Sequence, residues 1–172
     1  MNLLHRVRQF YFALVAPFSP NDYSLIEQVL QPELYALFMQ LDPAERNHSV
    51  RVFETLTAEG YTDQDLLAAA LLHDVGKSRF PIRLYERVLV VLLSPIMRKS
   101  GTNSRAEQPG RLVELFCAAE EHPDWGADLV MQAGGSEKLV WLIRMHQYQM
   151  LHAPANTLEE HLIALQSADK KN

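Results

Sequence analysis

The sequence predicts an all-α fold, and three observations carry that expectation. Apolar residues recur at helical spacing in segment after segment, and helix-start or helix-stop chemistry brackets most of them. No stretch alternates apolar and polar residues between turn signals, as a half-buried strand would. The chain has 172 residues, 48% hydrophobic and 22% charged, which is enough for one domain spanning 1–172 with a sizeable core.

Residues 1–19 read as an amphipathic helix with Leu4, Val7, Tyr11 and Leu14 on one face. Arg6 and Arg8 interrupt the run and no small-residue cleavage site follows, so a secretory signal is not expected. "SPNDYSLIEQVL" carries helix-start chemistry, and Pro32 suits the first turn of the next helix. Asp42 and Pro43 then read as N-cap and first helical residue of a segment that closes at Gly60. Thr62 and Asp65 have capping-box spacing before "DQDLLAAALLHD". The pattern breaks from Gly76 to Pro81. A helix over Arg83 to Met97, kinked or stopped near Pro95, and a polar loop over 98–110 follow. Its apolar run at 88–97 is too short to span a bilayer. Helical patterns resume at 111–121, 124–133, 136–149 and 157–170, with "GG" at 134–135 as one separator. Thr157 and Glu160 repeat the capping-box spacing.

Formal net charge is −5 without an acidic or basic block, so an extended nucleic-acid surface is not expected. The single cysteine, Cys117, excludes an internal disulfide framework, fits a reducing, cytoplasmic compartment and reads as a small buried apolar residue.

The segment that asks for a chemical explanation is "LLHDVGK", residues 71–77. His73 and Asp74 stand where an apolar helix gives way to glycine. There, neighbouring side chains can aim at one point and offer an imidazole nitrogen and a carboxylate to a divalent transition ion. Alone, the pair fits a helix-end histidine and a capping aspartate equally well. Further candidates change that balance. His48 has Val52, Thr55 and Leu56 at helical spacing, His122 precedes Pro123 at an expected helix start, and His146 lies on an otherwise apolar helix. Asp169 shares a face with Leu162, Leu165 and Ala168, where a buried carboxylate requires a partner. His5, His152 and His161 lack such support. Trp125 and Trp141 read as packing residues, and Arg79 and Arg83 as solvated helix-entry charges or anion contacts.

The ordered set His48, His73-Asp74, Asp169 resembles the HD-domain metal-dependent phosphohydrolase superfamily over about residues 45–170. The resemblance implies a compact helical core in which His48, His73, Asp74 and Asp169 bind a first metal. "HPDWGADLV" is similar to the HP-x-x-GA segment of the HD-GYP branch. That likeness implies a bridging Asp74, with His122 and His146 holding a second ion. The chain departs from that branch: Gln147 follows His146 and no GYP tripeptide is present, so cyclic-dinucleotide hydrolysis is not implied. Lys77, in the same HDxGK box, can hold a phosphate oxygen and stabilise transition-state charge; a solvated lysine is its plain alternative.

Mixed histidine and carboxylate ligands suit one or two ions of Mn, Fe, Co, Ni or Zn, and the absence of cysteine ligands argues against structural zinc. The expected activity is hydrolysis of a small phosphate ester, nucleotide-like, as a phosphomonoesterase or phosphodiesterase through metal-activated water. Asp74 and Lys77 are its catalytic candidates. Oxygenase chemistry on a di-iron centre, and a non-catalytic signalling or scaffold module, are the alternatives.

Overall fold

A computed structural model describes residues 23–80 and 111–172. The expected helices over 1–19 and Arg83–Met97, the loop over 98–110, His5 and Arg83 lie outside the described residues. Among the described residues every regular element is helical. In order these are α1 (Ser24–Val29), α2 (Pro32–Gln40), α3 (Pro43–Ala58), α4 (Gln64–Leu72), a 3₁₀ turn (Val75–Arg79), α5 (Arg111–Gln132), α6 (Glu137–Met145) and α7 (Thr157–Lys171).

The boundaries follow local chemistry. Pro32 opens α2. Asp42 caps α3 by accepting the N–H groups of Ala44 and Glu45, with Pro43 in the first turn. The helix ends in a left-handed glycine, Gly60 at φ +89°. Its N–H reaches the Thr57 carbonyl while that of Tyr61 reaches Leu56, the closure that satisfies a helix's last carbonyls. Gly134, at φ +81°, ends α5 in the same way.

Other boundaries differ from expectation by one residue. Asp63, rather than Thr62, caps α4 and accepts from Leu66 N–H, while Asp65 instead accepts from Ser136 Oγ. Asn156, rather than Thr157, caps α7, and Glu159 reaches back to Ala155 N–H. In each case a side-chain amide or carboxylate sits beside a threonine and wins the position, as the capping order requires. α6 stops at Met145 instead of running on to 149, and His146 becomes its C-cap.

A larger difference concerns 111–133. The two expected helices are one, with Pro123 inside α5 and His122 in mid-helix rather than at a start. An interior proline removes one hydrogen bond and costs about 3 kcal/mol or more. Burial on this strongly amphipathic helix offsets that cost, since Ala127 and Val130 are completely enclosed.

α4 is the centre of the bundle. Leu66, Leu71, Leu72 and the run Ala68–Ala69–Ala70 are all buried, so the helix is apolar on nearly every side and needs neighbours all round. α3, α6 and α7 pack against it. The alanines let these helices approach, and each fully buried leucine contributes roughly 1.5–3 kcal/mol. One buried cluster runs from Ile26 to Ala168 and includes Phe38, Val52, Leu56, Leu142, Ile143, Leu162 and Leu165. Cys117 is free and half-buried, more open than expected. Among the described residues no helix is long and apolar enough to cross a membrane.

Candidate metal centre

The C-terminal end of α4 releases His73 and Asp74 into the heart of this bundle, with His73 as C-cap. Both are almost completely buried, at 1% and 4% exposure. Four helices deliver the rest. α3 brings His48, α5 brings His122, α6 ends on His146 and α7 carries Asp169. The four imidazoles form a file in the order His48, His73, His146, His122, with successive ring centroids 5.3 Å apart.

The carboxylates divide this file in two. Asp169 Oδ1 lies 2.9 Å from His48 Nε2 and 3.8 Å from His73 Nε2. Asp74 Oδ1 lies 3.2 Å from His122 Nε2 and 3.8 Å from His146 Nε2. Its other oxygen, Oδ2, lies 3.5 Å from His73 Nε2. Asp74 therefore faces both sets, one oxygen to each. His48, His73 and Asp169 form one group that could hold an ion, and Asp74, His122 and His146 form a second.

The imidazoles are oriented from behind. Nδ1 of His73, His122 and His146 lies 3.0, 2.9 and 2.6 Å from the carbonyl oxygens of Ala70, Ala119 and Ile143. A carbonyl only accepts, so each ring donates there. The Nε2 lone pair of the neutral ring is thereby aimed at the carboxylates, as in metal-ligating histidines generally. Nε2 of His73 and of His146 is buried with no hydrogen-bond partner among the described residues. Such atoms are costly unless something not made of protein satisfies them. Soft cysteine donors take no part, and the imidazole and carboxylate donors fit a divalent transition ion.

Electrostatics agree with this geometry. Burial opposes ionisation of Asp74, but Lys77, His73 and His122 outweigh it and hold the carboxyl well below its ordinary range. Burial likewise opposes Asp169, yet the His48 hydrogen bond and His73 bring it down to about 2. Burial, then His73, pushes His146 down to about 3, so its nitrogen is free of a proton at neutral pH. For His48, burial is outweighed by the Asp169 hydrogen bond and by Asp74, Asp169 and Glu45, and the imidazole is raised.

Lys77, on the 3₁₀ turn, places Nζ 2.5 Å from Asp74 Oδ2 and 3.4 Å from Glu45 Oε2. Glu45 is a participant the sequence reading missed. It is 7% exposed, one turn before His48 on α3, and its first-turn position reads as an ordinary complement to the helix dipole. Gln147 is a second, its amide 3.2 Å from His122 Nε2. Gly76 and Gly126, the glycines of the HDxGK and HP-x-x-GA segments, have a packing role that the sequence reading missed, since their close contact seats the turn after Asp74 directly on α5. The other described histidines stand apart. His161 faces Asp63 at 3.8 Å and Tyr61, and His152 is exposed beside Glu159. Arg79 is exposed, and Trp141 packs against the core.

Among the described residues, a helical bundle with buried and half-buried histidines and carboxylates from five helical segments defines a candidate metalloprotein. The HD domain family's model matches residues 46–170, and the chain belongs to that family of metal-dependent phosphohydrolases. No curated protein and no solved structure matches it.

Proposed function

We propose that this protein is a metal-dependent phosphohydrolase acting on a small, nucleotide-like phosphate ester, with two divalent transition ions in its bundle. The observation that carries the reading is Asp74, whose two oxygens face two separate histidine sets. His48, His73, Asp169 and Asp74 Oδ2 would hold the first ion, and Asp74 Oδ1, His122 and His146 the second. The bound ions supply Lewis acidity, lowering the pKa of water toward about 7 and offsetting charge on a phosphoryl oxygen.

The protein's own groups do the remaining work. The Nδ1 bonds of His73, His122 and His146 hold the rings in one tautomer, so little reorganisation accompanies loading. Lys77 keeps an ammonium beside Asp74 and Glu45, where it can bind a substrate phosphate oxygen and stabilise the charge that grows on it. Half-exposure of Lys77 supports contact with a ligand arriving from solvent. The shared buried core, from Ile26 to Ala168, supports one domain over the described residues, and the lone Cys117 supports a reducing, cytoplasmic setting.

The test is a screen of phosphate mono- and diesters, nucleotides included, after chelation and reloading with Mn, Fe, Co, Ni or Zn. Ester hydrolysis that appears only on reloading is expected. Tight uptake of ions with no ester hydrolysed under any of them would overturn the reading.

A further inference from the structure

His73, His122 and His146 make the same bond to the carbonyl three residues back, but they do not stand in the same place. His73 and His146 are C-caps. The last carbonyls of a helix have no N–H four residues ahead, so they are open to a side chain; the Ile143 carbonyl also takes the His146 N–H, at a long 3.4 Å. His122 lies inside α5. There the Ala119 carbonyl would ordinarily take the N–H of residue 123. Residue 123 is a buried proline, which has no N–H and whose ring keeps its own backbone away from that carbonyl.

We propose that Pro123 is a positioning residue, withholding the backbone donor from the Ala119 carbonyl so that the His122 imidazole takes its place. The interior proline thus does in mid-helix what a helix end does for His73 and His146. The tautomer is what this arrangement protects. His122 Nε2 lies 3.2 Å from Asp74 Oδ1. A ring released from Ala119 can carry its proton on Nε2 instead and donate it to Asp74. That direct bond would occupy both ligand atoms at once and close the second set to an ion. With Nδ1–H committed to Ala119, Nε2 keeps a lone pair, and Gln147, its amide 3.2 Å away, can donate to it without blocking Asp74.

The inference deepens the two-ion reading and its metal arm rests on it, so the experiment has one arm that needs no metal. In the chelated native protein, above the range where imidazoles protonate, long-range ¹H–¹⁵N spectra should find the His122 proton on Nδ1. In Pro123→Ala, which restores an N–H to residue 123, the proton should shift toward Nε2. Finding it on Nε2 in the native protein, or unmoved in the variant, overturns the proposal. In the second arm, calorimetric titration with Mn or Zn should show one of the two ions, the one at Asp74, His122 and His146, bound about 10- to 100-fold less tightly by Pro123→Ala, the usual cost of losing a ligand's outer partner. The other ion should be unaffected, and the helical signal should be equal or greater, which separates this loss from unfolding. Equal affinities also overturn the proposal. Native protein that takes up no second ion fails the two-ion reading instead, and the spectra of the native chain then decide the role of Pro123.

Discussion

A Cβ atom on Gly76 would lie 1.9 Å from the backbone carbonyl oxygen of His122. The turn that follows Asp74 therefore rests on the backbone of α5 itself, and Gly126 completes the contact, since its own Cβ would lie 3.1 Å from the Gly76 nitrogen. This approach is what lets Asp74 and His122 face each other across 3.2 Å. Gly76→Ala should force the turn off α5. Because the obstacle is backbone, the cost should reach the upper part of the roughly 1–3 kcal/mol typical of overpacking, or exceed it. Urea unfolding should show a lowered midpoint, and metal titration a weakened second ion. A Gly76→Ala protein as stable as the native one would contradict this account.

Asp74→Asn should lose both ions, because each carboxylate oxygen faces a different histidine set and an amide offers neither the charge nor the second acceptor. Asp169→Asn should weaken only the ion shared with His48 and His73, since Asp169 faces that set alone. Elemental analysis of the two purified variants, beside far-ultraviolet circular dichroism, distinguishes them. Equal stoichiometry in both would mean that Asp74 does not bridge.

These contacts also explain what was legible in the sequence. Asp42, Pro43 and Gly60 announce α3 because cap, first turn and left-handed glycine each act within a few residues. The order His48, His73-Asp74, Asp169 is readable because it resembles the HD-domain pattern, while helical spacing alone gives only inward contexts for its members. Pro123 misleads, since proline ordinarily starts or stops a helix and only tertiary packing can carry one through it. Glu45 carries no local signal at all, since it resembles any first-turn glutamate. Gly126 is the glycine of the HP-x-x-GA segment, but its packing role does not show locally, because the contacts of both residues are with Lys77 and Gly76, far off in sequence. The division of the ligands into two sets by Asp74 is likewise a property of packing.

The metal-free protein should be most stable near the ordinary imidazole value and weaken on both sides of it. His146 is depressed from 6.5 to about 3 by burial and His73. Its contribution is complete above 6.5 and is lost as the pH falls toward 3, because the unfolded chain takes up a proton that the folded one refuses. Asp169, depressed from 3.8 to about 2, adds to the acid loss below 3.8. His48 has the opposite sign. Its raised value means that its contribution is complete below 6.5 and is lost as the pH rises through the folded value. Urea midpoints of chelated protein across this range should trace both limbs. His146→Asn should flatten the limb between 3 and 6.5 and leave the alkaline one in place.

Lys77→Ala should separate substrate chemistry from metal binding. An ammonium has no lone pair, so Lys77 is no ligand, and both ions should be retained. What the variant removes is the cation 2.5 Å from Asp74 Oδ2 and 3.4 Å from Glu45 Oε2. In chelated protein both buried carboxylates feel that loss, so stability should fall. In loaded protein the ions supply positive charge of their own, and the difference in stability between variant and native chain should shrink. Hydrolysis should still suffer, because the missing group is the one placed to meet a phosphate oxygen. A charge-assisted hydrogen bond is worth about 1.5–3 kcal/mol, which corresponds to roughly a 10- to 150-fold loss of kcat/KM. Glu45→Gln keeps the side chain's size but weakens its hold on Nζ, and should give a smaller loss in the same direction. Steady-state kinetics on whichever ester is turned over, with elemental analysis of each preparation, decides the matter. Full activity in Lys77→Ala would leave this lysine as a partner for Asp74 and Glu45 alone.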